Sequence, residues 1–112
     1  MIIVNSSEAD IKEYPNHLMI TGIVNSFEGN EVTIGTAIFK PNARVPEEGF
    51  GVHEFDEYSF VIEGELEAQI EDKHISLKAD QFSYIAKGEK HWSSNMSEKD
   101  CKIVWVLVKN KK

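Results

Sequence analysis

Two short segments of the chain hold residue types that can do metal chemistry. The first reads Gly51-Val52-His53-Glu54-Phe55-Asp56-Glu57 and runs on through Tyr58-Ser59-Phe60-Val61-Ile62-Glu63 to Gly64. His53 and Glu57 are four residues apart. On an extended chain an even separation puts both side chains on one face, so this imidazole and this carboxylate are predicted to project together from one strand. The second segment reads Gly88-Glu89-Lys90-His91-Trp92-Ser93-Ser94-Asn95, with His91 and Asn95 again four apart behind a glycine. If the two segments pair or face one another, two imidazoles and one carboxylate converge. That donor set holds Fe(II), Mn, Ni, Zn or Cu and leaves coordination positions for water or substrate. A carboxylate turned into an apolar interior must be metal-bound, paired or neutral, and Glu57 shares its parity with His53, Ser59 and Val61. Asn95 is read either as a residue that orients a ligand or as a plain turn residue. His17 and His74 lack a paired partner and are read as ordinary surface or hydrogen-bonded histidines.

The elements that must position these residues are strands, because the dominant period is two. Leu66, Ala68 and Ile70 alternate with Glu65, Glu67, Gln69 and Glu71, giving a strand with one wet face. Ile75 and Leu77 alternate with His74 and Ser76. Val32, Ile34 and Ile38 alternate with Thr33, Gly35 and Ala37, small side chains that either leave room for a ligand or allow close packing. Residues 58–62 and 103–108 are apolar on both faces, so each is expected to be covered on both sides, by a second sheet or by a partner subunit. Phe27-Glu28-Gly29-Asn30 joins a strand over about residues 17–25 to the next. Gly64 is expected to close a tight hairpin. Asp72-Lys73 and Lys78-Ala79-Asp80 mark two further turns. Residues 7–12 are predicted to form one short helical turn capped by Ser7, with Pro15 soon after. Residues 41–51 read as an irregular loop leading into the first segment. Many short strands at this spacing indicate an all-β sandwich or barrel, and a closed barrel removes the exposed edges.

A chain of 112 residues fits one domain, 1–112, and buries roughly 65% of its unfolded surface on folding. Residues 1–16 are read as an N-terminal arm or strand and 30–108 as the barrel core. The net charge of -7 repels phosphate backbones, so no nucleic-acid partner is expected. The basic cluster Lys109-Asn110-Lys111-Lys112 reads as a solvated, frayed terminus. The one cysteine, Cys101, rules out an intramolecular disulfide framework, suits a reducing compartment and reads as a structural thiol. Met1-Ile2-Ile3-Val4 turns polar at Asn5 without a basic start, unlike a signal peptide. The longest apolar run, 103–108, is too short to span a bilayer as a helix. A cytoplasmic protein with no membrane partner is the expectation.

Taken together, the two segments resemble the two motifs of the cupin superfamily. The first motif runs His-x-His, three or four residues, Glu, six residues, Gly. Here Glu57 and Gly64 stand six residues apart, and His53 takes the second His position. The second motif runs Pro-x-Gly, two residues, His, three residues, Asn, matched by Gly88, His91 and Asn95 with Ala86 in place of the proline. The resemblance covers roughly residues 30–108. It implies a double-stranded β-helix (jelly-roll) barrel, a homodimer, and a divalent transition metal (Fe, Mn, Ni or Zn) held by His53, Glu57 and His91. One position departs from the pattern: its first His falls at Gly51. Three readings of that position stand. Three ligands suffice, with an extra water. A loop residue such as Glu47 or Glu48 supplies a fourth. Or the site holds no metal.

Two functions are compatible with these residues. One is a small metal-dependent enzyme of dioxygenase, isomerase or lyase type, acting on a small organic acid or sugar derivative. In its isomerase or lyase form Glu57 is the catalytic base. The other is a non-catalytic module that binds a small molecule as a sensor.

Overall fold

A computed structural model describes residues 1–110. Lys111 and Lys112, half of the basic tail, lie outside the described residues, whereas Lys109 and Asn110 are not frayed but end a strand, exposed. The described chain holds one 3-10 turn at Ser6–Glu8 and ten strands: β1 Asp10–Glu13, β2 His17–Phe27, β3 Asn30–Phe39, β4 Arg44–Val45, β5 Asp56–Glu63, β6 Glu65–Ile70, β7 Lys73–Lys78, β8 Phe82–Ile85, β9 His91–Ser94 and β10 Cys101–Asn110. They form a six-stranded sheet, β1-β2-β3-β10-β5-β8, and a four-stranded sheet, β4-β9-β6-β7. Neighbours run antiparallel throughout. The core draws on both sheets: Phe39, Val61, Ile103 and Trp105 from one and Leu66 from the other. The architecture is the all-β jelly-roll barrel expected from the alternation. No helix among the described residues is long and apolar enough to cross a membrane.

Three local expectations are corrected. Ser7 does not cap a helical turn over 7–12. It lies inside the short 3-10 turn, and β1 begins at Asp10, with Ile11 opposite Ile20 of β2. A segment whose apolar residues are only Ala9 and Ile11, two apart, has no helical face to bury, whereas strand pairing satisfies its backbone. Gly64 closes no hairpin, because β5 and β6 belong to different sheets. It is the corner between them, with φ of +83°, and a Cβ there would sit 2.6 Å from the Asp100 carbonyl oxygen and 2.8 Å from Cys101 Cα. Only glycine fits both the dihedral and the space. The β6–β7 hairpin turns at Glu71-Asp72, one residue earlier than expected, closed by Ile70 opposite Lys73.

The small residues of β3 face inward. Gly35, Ala37 and Phe39 are buried, while Ile34 is exposed. The alternation therefore carries its larger aliphatic side chains outward. Trp105 is the reason: it stands opposite Gly35 across the β3–β10 ladder, and a side chain at Gly35 would run into its ring and into the Ile20 carbonyl. Of the two doubly apolar strands, the inner faces are covered by the second sheet. The outer face is not: Tyr58 and Ile62 are 48% and 41% exposed.

Candidate metal centre

His53, Glu57 and His91 come together. One ligand atom from each lies within 4.8 Å of the others. Three different pieces of backbone bring them there. Glu57 projects inward from the start of β5. His91 opens β9 in the opposite sheet. His53 is not on β5 at all, contrary to the shared-strand expectation: it sits in the loop before it. Its position comes from cross-segment pairing instead. The Gly51 amide donates to the His91 carbonyl (2.7 Å), the His91 amide returns a bond to the Gly51 carbonyl (3.0 Å), and the Gly88 amide donates to the His53 carbonyl (2.9 Å). The two segments thus meet through backbone bonds, and their histidine rings lie 4.7 Å apart at 60°.

The rings are oriented by different means. His91 Nδ1 lies 3.0 Å from the Glu89 carbonyl oxygen. A carbonyl only accepts, so Nδ1 carries the proton and Nε2 presents its lone pair. His53 is stacked on Phe55 at 4.5 Å and 11°. Burial lowers the His53 pKa and the neighbouring His91 lowers it further, which favours the neutral imidazole that binds metal. Burial raises the Glu57 pKa, and His91 offsets part of that rise. Among the described residues the Glu57 carboxylate accepts no hydrogen bond. A desolvated carboxylate facing two imidazoles without another partner suits a divalent cation, so the donor set fits the metal that the motifs imply.

The other residues singled out in the sequence go elsewhere. Asn95 is fully buried but does not orient His91. Its amide donates to the carbonyls of Phe39 (2.9 Å) and Lys99 (2.7 Å), and its Oδ1 accepts from the amide and hydroxyl of Ser97. It locks the turn after β9 to the end of β3. Glu47 and Glu48 do not join the triad. Arg44 pins their loop by donating to the carbonyls of Pro46 and Gly49, and Glu47 acts on His17, offsetting part of the lowering that burial imposes on that imidazole. His17 is stacked between Tyr14 and Phe39, and His74 makes a surface pair with Glu67. Cys101 is fully buried, and burial with the charges of Glu63 and Glu65 pushes its thiol up to about 11. Gly51 is roomy: a Cβ there would find nothing nearer than Pro46 Cδ at 3.6 Å, and His53 Cε1 at 3.9 Å.

Behind the triad lies a cavity of about 260 Å³ between the sheets. Two features of its wall have no signal in local sequence. Ser59 and Ser83 share a 2.6 Å hydrogen bond across β5 and β8. The Trp105 indole Nε1 is buried without a hydrogen-bond partner among the described residues. Parity alone marks both positions as inward, since Ser59 follows Glu57 by two and Trp105 lies between Ile103 and Leu107.

The family model for the cupin domain matches residues 35–107, well over half of the chain. No curated protein matches it. Among solved structures, the cupin domain of Cnp3 from Schizosaccharomyces pombe superposes with a TM-score of 0.75 at 8% identity, covering 93% of this chain and 71% of that one. An RmlC-like cupin from Shewanella frigidimarina gives 0.73 at 14%, covering 96% and 90%. KdgF from Halomonas sp. gives 0.70 at 14%, covering 96% and 93%. Identities this low speak to the fold, while the model match, the jelly-roll topology and the paired His53–Glu57 and His91 segments speak together: the chain belongs to the cupin family.

Proposed function

We propose that this cupin is a cytoplasmic, metal-dependent enzyme of a single domain, with His53, Glu57 and His91 as ligands of one divalent Fe, Mn, Ni or Zn ion. The observation that carries this reading is the convergence of three ligand atoms within 4.8 Å at the wall of the cavity between the sheets. Bound there, such a metal supplies Lewis acidity toward an oxygen-donor substrate and, where redox-active, electrons. The rest is done by the chain. His91 is held in the tautomer that presents Nε2, and Phe55 holds the plane of the His53 ring. The apolar walls exclude water, which strengthens every charge interaction inside. Dioxygenase, isomerase and lyase chemistry on a small organic acid or sugar derivative all suit this arrangement. In the last two, Glu57 serves instead as general base toward a carbon-bound proton.

Elemental analysis of the protein purified without a histidine tag tests the centre. One metal per chain is the expected stoichiometry, after incubation with Fe(II), Mn(II), Ni(II) or Zn(II) if not before. His53→Ala and His91→Ala are each expected to abolish it. A stoichiometry near zero under all four metals overturns the metal reading, and metal that survives both substitutions overturns the ligand assignment.

One observation favours the second reading, a small-molecule sensor without catalysis: Gly51 supplies no fourth ligand. Metal loading with no turnover across organic acids and sugar derivatives supports it. For either reading the working unit is a homodimer. Tyr58 and Tyr84 stack at 4.9 Å, and Phe60 and Phe82 at 4.6 Å, on the outer face of the six-stranded sheet, with Phe82 82% exposed. A two-fold axis would bury that face against its own copy. Sedimentation should show a dimer that Phe82→Glu converts to monomer. A monomeric parent protein overturns it.

A further inference from the structure

The cavity's lining restricts what the centre can take. Its wall is formed by side chains such as Phe39, Leu66, Ile75, Ile85, Ile103 and Leu107. No Lys, Arg, Asn or Gln stands among the described residues that line it. Apart from the triad, its polar side chains are few. The Tyr84 side chain stands on the outer face beside Tyr58 and directs its hydroxyl to Asp56 (3.0 Å), away from the chamber. Ser93 contributes a hydroxyl. Ser59 and Ser83 are bonded to one another at 2.6 Å, so one donates and the other keeps its own proton to give. Trp105 remains, 6% exposed, its Nε1–H without a partner.

These facts act in one direction. A polyhydroxylated molecule entering here gives up water at each hydroxyl and finds almost nothing to replace it, at roughly tenfold in affinity per unpaired group. An apolar body gains contact with the wall at no such penalty. Trp105 adds its ring to the wall, but its Nε1 presents almost no surface to the chamber and offers an entering molecule no donor. A volume of about 260 Å³ admits a molecule of one ring or a short branched chain. We propose that the chamber takes a small, mainly apolar molecule, aromatic or branched-alkyl, with an oxygen group directed at the His53–Glu57–His91 end. Of the two substrate classes above, this selects an apolar organic acid over a sugar derivative. The metal-directed end rests on the metal reading. The apolar body does not.

The test uses hydroxamates that share one chelating group and differ in body. Calorimetric titration of the Zn(II)-loaded protein should give benzohydroxamate at least about tenfold tighter binding than acetohydroxamate, from the buried ring area, and tighter again than gluconohydroxamate. Benzamide keeps the ring with a poorer chelating group. It should bind metal-free protein as well as loaded protein. Trp92→Phe leaves Trp105 as the chain's single tryptophan. Trp92 lies under the Arg44 guanidinium and is not part of the cavity wall, so the change spares the chamber. In that variant, saturating benzamide should shift the indole emission. If the protein loads no metal but benzamide still binds and shifts the emission, the metal reading falls and this inference stands. If gluconohydroxamate binds loaded protein as tightly as benzohydroxamate, or the emission ignores saturating benzamide, this inference is overturned and the metal reading is untouched.

Discussion

The two ends of the barrel treat polar groups in opposite ways. At one end, around Asn95, Ala43 and Cys101, burial is complete and every polar atom of the Asn95 side chain is bonded, two donors and one doubly accepting oxygen. At the other end, His53 and Glu57 are partly buried and make no side-chain hydrogen bond among the described residues, and of the two imidazoles only His91 is hydrogen-bonded, to Glu89. Desolvated polar groups without partners weaken a fold. Their presence at one end only, where three ligand atoms converge, separates a part of the molecule that secures the barrel from a part left free for chemistry. Both motif segments contribute to this division. His91 and Asn95, four residues apart on one segment, fall on opposite sides of it.

If the division is real, the largest effects come from exchanging its two sides. Asn95→Ala strips four bonds from a buried position. It is expected to destabilise the protein by roughly 3 kcal/mol in urea unfolding, with metal affinity of the folded fraction unchanged. Glu57→Gln should do the reverse. Burial raises the Glu57 pKa, so the metal-free folded protein holds its proton more tightly than the unfolded chain. The ionised carboxylate then weakens the fold as pH rises through the window above its ordinary value, and a neutral amide removes that effect. Stability at pH 7 should stay equal or increase, while Zn(II) affinity falls by more than about 100-fold. A variant that lost both properties together would erase the distinction between the ends.

The same contrast governs what could be read from sequence. Strands and turns were legible because a half-buried strand must alternate, and Leu66, Ala68 and Ile70 do so plainly. Which face turns inward was not legible in β3. Ile34 and Ile38 look like core positions until Trp105 on a distant strand claims the space at Gly35. The His53–Glu57 pair was legible as residue types at a spacing, but for the wrong reason. The two do not share a strand, and His53 reaches the site because Gly51 pairs with His91 forty residues away. The spacing of Asn95 from His91 matched the motif equally well and served packing instead. The free donor on Trp105 had no local signature, since it is defined by a partner that no other strand supplies.

Gly51 offers a way to sharpen the functional end without touching the other. Its backbone dihedral is open to any residue, and a Cβ would meet only ordinary contacts, with the His53 ring edge at 3.9 Å. Gly51→His should therefore fold as well as the parent and add a third imidazole beside His53. Competition against a chromophoric chelator should show Zn(II) binding tighter by about tenfold or more. Unchanged affinity would mean that the Gly51 loop does not face the centre. Phe55→Ala should act in the opposite sense and more weakly. Freeing the His53 ring from its stacked partner is expected to lower affinity severalfold, with little change in the urea midpoint.

The smallest effect belongs to the packed end and appears only in alkali. The Cys101 thiol is pushed up to about 11, first by burial and then by the negative charges of Glu63 and Glu65. The unfolded chain therefore releases this proton near its ordinary pKa of about 9, while the folded chain keeps it. The stability this contributes is complete below pH 9 and is lost as pH rises toward 11. The urea midpoint of the parent protein should fall across that window, and that of Cys101→Ala should fall less. At pH 8 the thiol should react with Ellman's reagent only as fast as the barrel opens, and at once in guanidinium. Fast reaction in the native protein would show that this end opens as readily as the other, and the contrast between them would have no basis in packing.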